Sequence, residues 1–182
     1  MQALIIGFGR VLRFFEGIAL KLSAVFLGAM VLLINVEIFS RYFFNYSTRI
    51  ADEYGGYFYA WIVLLGGVHL LRSDRYLMMT SVLDRMSPRV QNLIYIIAAA
   101  VGLTLCVVCF KSSFDLTYAS FRFNTESTQP SGTPLWYPQL AMPIGYALLC
   151  TAYLEEILRR CAGLPPRRAE DDVETYGVGD AG

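Results

Sequence analysis

The chain has one histidine, His69, and four cysteines, Cys106, Cys109, Cys150 and Cys161. Those five side chains bound its metal and redox chemistry. A bis-histidine haem needs two axial imidazoles, and one chain offers one. Cys106 and Cys109 form a C-x-x-C inside an apolar run. No second pair and no histidine cluster completes a four-ligand zinc set. Free cysteine in such surroundings behaves as a small apolar residue, so packing is the expected role. His69 is expected to be an interfacial side chain making one or two hydrogen bonds. No phosphate-binding glycine loop, H-E-x-x-H or G-x-S-x-G occurs. No enzyme activity, cofactor or metal site is expected.

The elements carrying these residues explain the poverty. Tyr54–Leu71, Val90–Phe110 and Ser127–Leu154 contain no Asp, Glu, Lys or Arg, and Leu22–Ser40 contains one acid, Glu37. A bilayer core takes about 20 apolar helical residues to cross. Hydrophobic residues make up 55% of the 182 and charged residues 16%, where soluble domains average about 25% charged. The reading is an all-α, integral membrane bundle of four transmembrane helices with short amphipathic interfacial segments. The formal net charge is +0, so no global basic field invites nucleic acid. One membrane domain fills the length, with no room for a separate catalytic domain. The N-terminus makes a poor signal peptide, because Arg10 and Arg13 follow its short apolar run rather than lead it.

Three divisions are expected: an N-terminal amphipathic segment over 1–17, a transmembrane domain over 18–160, and a disordered cytoplasmic tail over 161–182. The spans fall at about 18–40, 50–72, 89–111 and 139–158. Residues 3–16 either lie in the headgroup plane or extend the first span. Lys21 snorkels to one interface, and Glu37 pairs with Arg41, acid first and four apart, near the other. Tyr42–Ser47 is aromatic and suits the interfacial belt. Asp52 and Glu53 sit in the first turn of the second helix, where its dipole favours acids. Residues 76–86 read as an interfacial amphipathic linker. Ser87-Pro88 is a helix start, serine as cap and proline at the first position. The third helix continues towards Phe123, with Phe110, Phe114, Tyr118 and Phe121 on one face. At 1.5 Å per residue it spans roughly 50 Å, so it tilts or projects. Pro130, Pro134, Pro138 and Pro143 constrain the entry to the last helix, and Pro143 kinks it early.

Deep polar groups are few: Ser23, Asn35, Glu37 and Thr104. A polypeptide that conducts a polar solute alone exposes polar groups or broken helices at mid-membrane. This chain places Leu, Val, Ile and Gly there, which suits a scaffold. Each span carries a small-xxx-small pair, Ala24/Gly28, Gly56/Ala60, Ala98/Gly102 and Ala141/Gly145, which allows close helix approach.

Three regions resemble the small membrane subunit of tripartite ATP-independent periplasmic (TRAP) transporters, the DctQ-like family. The first is Asp52-Glu53, then Trp61, then Leu65-Gly66-Gly67. The second is Leu70-Leu71-Arg72 followed by Val82-Leu83-Asp84-Arg85-Met86, with Tyr76 standing where the family often has a histidine. The third is Thr133-Pro134-Leu135-Trp136-Tyr137-Pro138 leading to Met142-Pro143-Ile144-Gly145. The resemblance covers about residues 10–160. It implies a bacterial inner-membrane complex importing small organic anions such as carboxylates. In that complex a periplasmic binding protein captures solute. A large, DctM-like membrane subunit carries the substrate and Na+ sites and moves as an elevator. The small subunit supplies static helices. On that reading the positional and partner-contact candidates are Arg41, Arg49, Asp52, Glu53, Trp61, Arg72, Pro134, Trp136, Pro143 and Gly145, alongside membrane lipids. The alternative is a self-sufficient four-helix homodimeric proton-coupled exporter. That class needs an acid well inside helix 1, whereas Glu16 and Glu37 flank its centre.

Orientation follows from Lys and Arg. One side carries Arg10, Arg13 and Lys21, then Arg72, Arg75, Arg85 and Arg89, then Arg159, Arg160, Arg167 and Arg168. The other has Arg41, Arg49, Lys111 and Arg122. Both termini are expected in the cytoplasm. A phosphatase fused after residue 182 is therefore expected to be inactive in whole cells; an active fusion reverses the orientation.

Overall fold

The computed structural model describes residues 2–45, 50–72, 87–129 and 131–163. Arg49, Arg75, Arg85, the 76–86 linker and the tail beyond 163 lie outside the described residues.

Helix α1 runs Gln2–Phe44, α2 Ile50–Arg72 and α3 Pro88–Arg122. A single turn, α4, spans Trp136–Gln139, and α5 runs Ala141–Cys161. Among the described residues, four segments are long and apolar enough to cross a membrane: Gly7–Phe44, Ile50–Leu71, Arg89–Arg122 and Trp136–Cys161. The expected boundary at residue 17 falls within α1, which is unbroken. Charged residues mark where apolar surface ends, and nothing in Arg10, Arg13 or Glu16 stops a helix.

The helix ends have local causes. Asn45 takes φ 50 immediately after α1, a left-handed position that Asn tolerates. Ser87 is the α3 N-cap in extended geometry with Pro88 following, but its hydroxyl makes no cap bond. Its carbonyl instead accepts from the N–H groups of Val90 and Gln91 at 2.9 and 3.0 Å. α3 stops where Asn124 turns left-handed at φ 47. There Thr125 N–H donates to Ser120 O and Asn124 N–H to Phe121 O, the two bonds of a Schellman end. That end carries α3 beyond the 89–111 span to Arg122, in line with the continuation towards Phe123.

Thr125–Gln129 and Ser131–Leu135 then pair as the two arms of a small hairpin, and Pro130 lies outside the described residues. Leu135 N–H donates to Thr125 O at 3.0 Å and Ser127 N–H to Thr133 O at 2.9 Å. Glu126 and Pro134 face each other as an antiparallel bridge. Pro143 removes the N–H that would bond the Gln139 carbonyl. α4 and α5 part at Leu140, and Thr117 Oγ1 of α3 donates to the stranded Gln139 O at 3.4 Å while also bonding Ser113 O at 2.8 Å. The early kink expected of Pro143 is thus a break, bridged from the neighbouring helix.

The spans pack in the order α1–α2–α5–α3, with α1 also touching α5. Two of the four small-residue pairs supply the seams. A Cβ on Gly145 would sit 2.5 Å from Leu64 Cβ of α2. One on Gly102 of α3 would sit 2.6 Å from the Tyr153 ring of α5. Gly28 and Gly56 face open space. Overpacking a tight contact costs about 1–3 kcal/mol. Gly145→Leu and Gly102→Leu are therefore expected to lower the detergent-solubilised Tm clearly. Gly28→Leu and Gly56→Leu are expected to leave it close to wild type for the isolated chain. Thermal unfolding followed by size-exclusion chromatography separates these outcomes.

Candidate functional site: polar ties between the helices

Call the end at which α1 begins the N side, and the opposite end the distal side. Polar contacts cluster at both and thin out between them.

On the distal side, Arg41 of α1 joins two acids. Its Nε donates to Glu37 Oε1 at 2.9 Å, and its Nη2 lies 3.6 Å from Asp52 Oδ2 at the start of α2. Glu37 is buried, while Asp52 is largely exposed. The inner contact is therefore sheltered, and the outer one is worth little in water.

Glu53, one residue on, is buried. Its Oε1 accepts from Tyr57 Oη at 2.8 Å and its Oε2 from Ser131 Oγ at 2.6 Å. Ser131 Oγ also lies 2.9 Å from Thr133 Oγ1, which lies 2.8 Å from Tyr54 Oη. One helix-start carboxylate thus holds the hairpin between α3 and α4 onto α2. Gly132 takes φ 58 within that hairpin, where its N–H bonds Gln129 O. A left-handed position there suits glycine.

Between the ends, contacts are aromatic and sparse. Trp61 of α2 stacks on Phe26 of α1 at 5.4 Å, and Phe26 meets Phe58 at 5.7 Å. Ser23 Oγ donates to Ile62 O at 3.1 Å, where Gly66 leaves it room. On the N side, His69 Nδ1 lies 2.8 Å from Glu16 Oε1, so α1 and α2 are tied there as well. Buried Glu155 pairs with buried Arg159 at 3.6 Å on α5. Gly9 of α1 closes over that pair; a Cβ there would lie 2.5 Å from Glu155 Oε1. Arg160 pairs with Glu156 and lies 4.1 Å over the Tyr95 ring of α3.

α3 and α5 also frame an apolar groove of about 450 Å³, lined by Phe110, Phe114, Thr117, Tyr118, Phe121, Trp136, Leu140, Pro143, Ile144 and Ala147. The four aromatic residues read as one face of α3 all line it. Trp136 meets Phe121 edge-on at 5.4 Å and stacks on Tyr137.

The ten sequence candidates are therefore scattered. Arg41, Asp52 and Glu53 belong to the distal ties, and Trp61 to the α1–α2 seam. Pro134 is half-buried in the hairpin. Trp136 and Pro143 line the groove, and Gly145 makes the α2–α5 seam. Arg72 closes α2, and Arg49 lies outside the described residues. Sequence reading missed Tyr54, Tyr57, Ser131 and Thr133, the partners of Glu53, and the Gly9–Glu155–Arg159 cluster. Ser131 lies 78 residues from Glu53, and only the turn residues around Gly132 hinted at the hairpin. The four cysteines are free.

Four apolar spans with polar ties at both ends define a multi-pass membrane protein. The chain belongs to the DctQ component family of tripartite ATP-independent periplasmic transporters, whose model matches residues 30–163. It is 25% identical to the C4-dicarboxylate TRAP transporter small permease protein DctQ of Vibrio cholerae, over 92% of this chain and 83% of that one. It is 23% identical to a Haemophilus influenzae protein provisionally named a TRAP transporter small permease protein, over 82% of this chain and 91% of that one. The resemblance to the small membrane subunit of TRAP transporters is thereby borne out at the level of the family.

Loss of a buried hydrogen-bonding partner costs about 1–3 kcal/mol. Glu53→Ala is expected to loosen the 125–135 hairpin while sparing the α3–α5 seam. Hydrogen exchange should show faster exchange at the amides of Ser127 and Leu135 with little change at Gly102. Unchanged exchange at both hairpin amides would sink the tie.

Proposed function

We propose that this chain is the static membrane subunit of a TRAP-type importer of small organic anions, carboxylates in particular. A large, DctM-like membrane subunit carries the substrate and the Na+ coupling. A periplasmic binding protein delivers the solute. The complex sits in the bacterial inner membrane, with both termini of this chain cytoplasmic, and this chain itself catalyses nothing.

One observation carries the proposal. Each of the four deep polar groups bonds within the chain: Ser23 to Ile62 O, Asn35 to Val31 O at 2.7 Å, Thr104 to Ala100 O at 2.9 Å, and Glu37 to Arg41. A translocation path needs polar groups that converge on solute at mid-membrane. These four point to separate places and are answered by their own helix or its neighbour. The family match and the C4-dicarboxylate name of the Vibrio relative support the importer class.

An elevator moves solute only relative to something that stays put. Helices fastened at both ends suit that task. Arg41, Tyr42, Trp136 and Tyr137 are anchors on the distal side, and Arg72 and Arg89 on the N side. Arg41, Asp52, Glu53 and the hairpin face the periplasm, where the large subunit or the binding protein can reach them.

The runner-up, a homodimeric proton-coupled exporter, requires a proton-carrying acid, and Glu37 is the candidate the sequence offers in the first span. Glu37→Gln in the assembled transporter is therefore expected to retain most Na+-driven uptake in proteoliposomes. Abolished transport with intact assembly would favour the exporter. Separately, an affinity tag on this chain should co-purify a large multi-helix membrane protein. Proton-coupled transport by this chain alone would end the proposal.

A further inference from the structure

We propose that the bilayer crosses the four-helix row obliquely, so that its lipid-contacting surface is a slanted band rather than a level belt. The inference needs only the helix registers and the positions of the charges, and it stands apart from the transport reading.

Side-chain contacts fix how the helices line up. Thr117 of α3 bonds Gln139, beside α5. Six residues further along, Gly145 meets Leu64 of α2. Six residues back from Leu64, Phe58 meets Phe26 of α1. Thr117 and Phe26 therefore lie at one level. On the N side, Gly102 meets Tyr153, and nearby Glu155 closes on Gly9. The level of Ala100 in α3 is thus close to that of Gly9–Leu12 in α1.

The charge-free windows do not follow these levels. The window of α1, Leu22–Val36, centres on Ala29. The window of α3, Val90–Phe110, centres on Ala100, level with the far N-terminal part of α1. The windows of α2 and α5 fall between, in the order in which the helices pack. Across the row the apolar centre slides along the helix axes by roughly 25 Å at 1.5 Å per residue.

An upright slab cannot serve both edges. Centred on α1, it would hold Lys111, Asp115 and Arg122 of α3 at hydrocarbon depth, all exposed. Centred on α3, it would hold exposed Arg10 and Arg13 of α1 there. A charged side chain near the middle of a span costs about 2.5–3.5 kcal/mol on the insertion scale. A slanted slab removes both conflicts. With helices packed 8–10 Å apart, the slide is of the same order as the width of the four helices, so the lean is steep, at the upper end for transmembrane helices. It also accommodates a 43-residue α1 and a 35-residue α3. The distal third of α3, with its aromatic groove, then stands beyond the hydrocarbon on one side. The first 20 residues of α1 stand beyond it on the other, at the opposite corner.

Four similarly exposed positions test this: Leu27 and Val31 on α1, and Leu116 and Tyr118 on α3. By register Tyr118 is level with Leu27 and Leu116 lies two residues from that level, while Val31 lies about one turn further towards the distal side. Each is changed singly to Cys in a full chain whose native cysteines are replaced, spin-labelled and reconstituted in liposomes. The ratio of oxygen to nickel-chelate accessibility reads depth. It is expected to be several-fold higher at Leu27→Cys and Val31→Cys than at Leu116→Cys and Tyr118→Cys. Equal ratios, or the reverse order, overturn the proposal. The same cysteines in native membranes, treated from both faces with an impermeant maleimide, give a second reading. Labelling at 116 and 118 with none at 27 and 31 is expected, and equal reaction at all four overturns it.

Discussion

Helices immersed in hydrocarbon gain nothing from hiding apolar surface, because lipid tails are as apolar as leucine. Cohesion must come from close packing and from polar contacts, and this chain uses each in a distinct place. Backbones approach most closely where glycine meets a bulky partner, at Gly145–Leu64 and Gly102–Tyr153. Hydrogen bonds and ion pairs are concentrated at the ends of the spans. The middle is held by the Gly145–Leu64 approach, by Phe26 against Trp61, and by the Ser23 hydroxyl.

That division sets the mechanical character of the molecule. α2 and α5 form the centre of the row, and α1 and α3 form its edges. Both edges are clamped at two heights. α1 is held by Arg41–Asp52 above and Glu16–His69 below. α3 is held by Thr117–Gln139 above and Tyr95–Arg160 below. Bars pinned at two points resist rotation relative to one another. Such a frame suits the static role proposed for this chain, and it leaves broad apolar faces for lipid.

The buried charges need their neighbours. Removing one partner from a buried pair is far more damaging than the pair is stabilising. Glu155 and Arg159 lie against the glycine surface of α1, so the pair depends on α1 extending as one helix past residue 17. The continuity of α1 and the identity of Gly9 are therefore one structural fact.

Much of this architecture was legible in the residues. Four windows without charge gave four spans, since a bilayer admits little else. Glu37 and Arg41, four apart on a helix, could hardly avoid meeting. Asp52 and Glu53 were legible as a helix start. Yet their separate fates, one largely exposed beside Arg41 and one buried under Ser131, were invisible in a pair of adjacent acids. α1 and α3 run past their apolar windows, because charge marks the edge of apolar surface whereas a helix stops where its backbone turns. Asn124 does that for α3. Four small-residue pairs looked equivalent, because spacing says that close approach is possible and not which helix comes near. Only the tertiary structure decided that Gly102 and Gly145 form seams while Gly28 and Gly56 remain open. The chemistry of the spans was local and could be read along the chain. Their order and relative height depend on contacts between residues tens of positions apart, which sequence order does not encode locally.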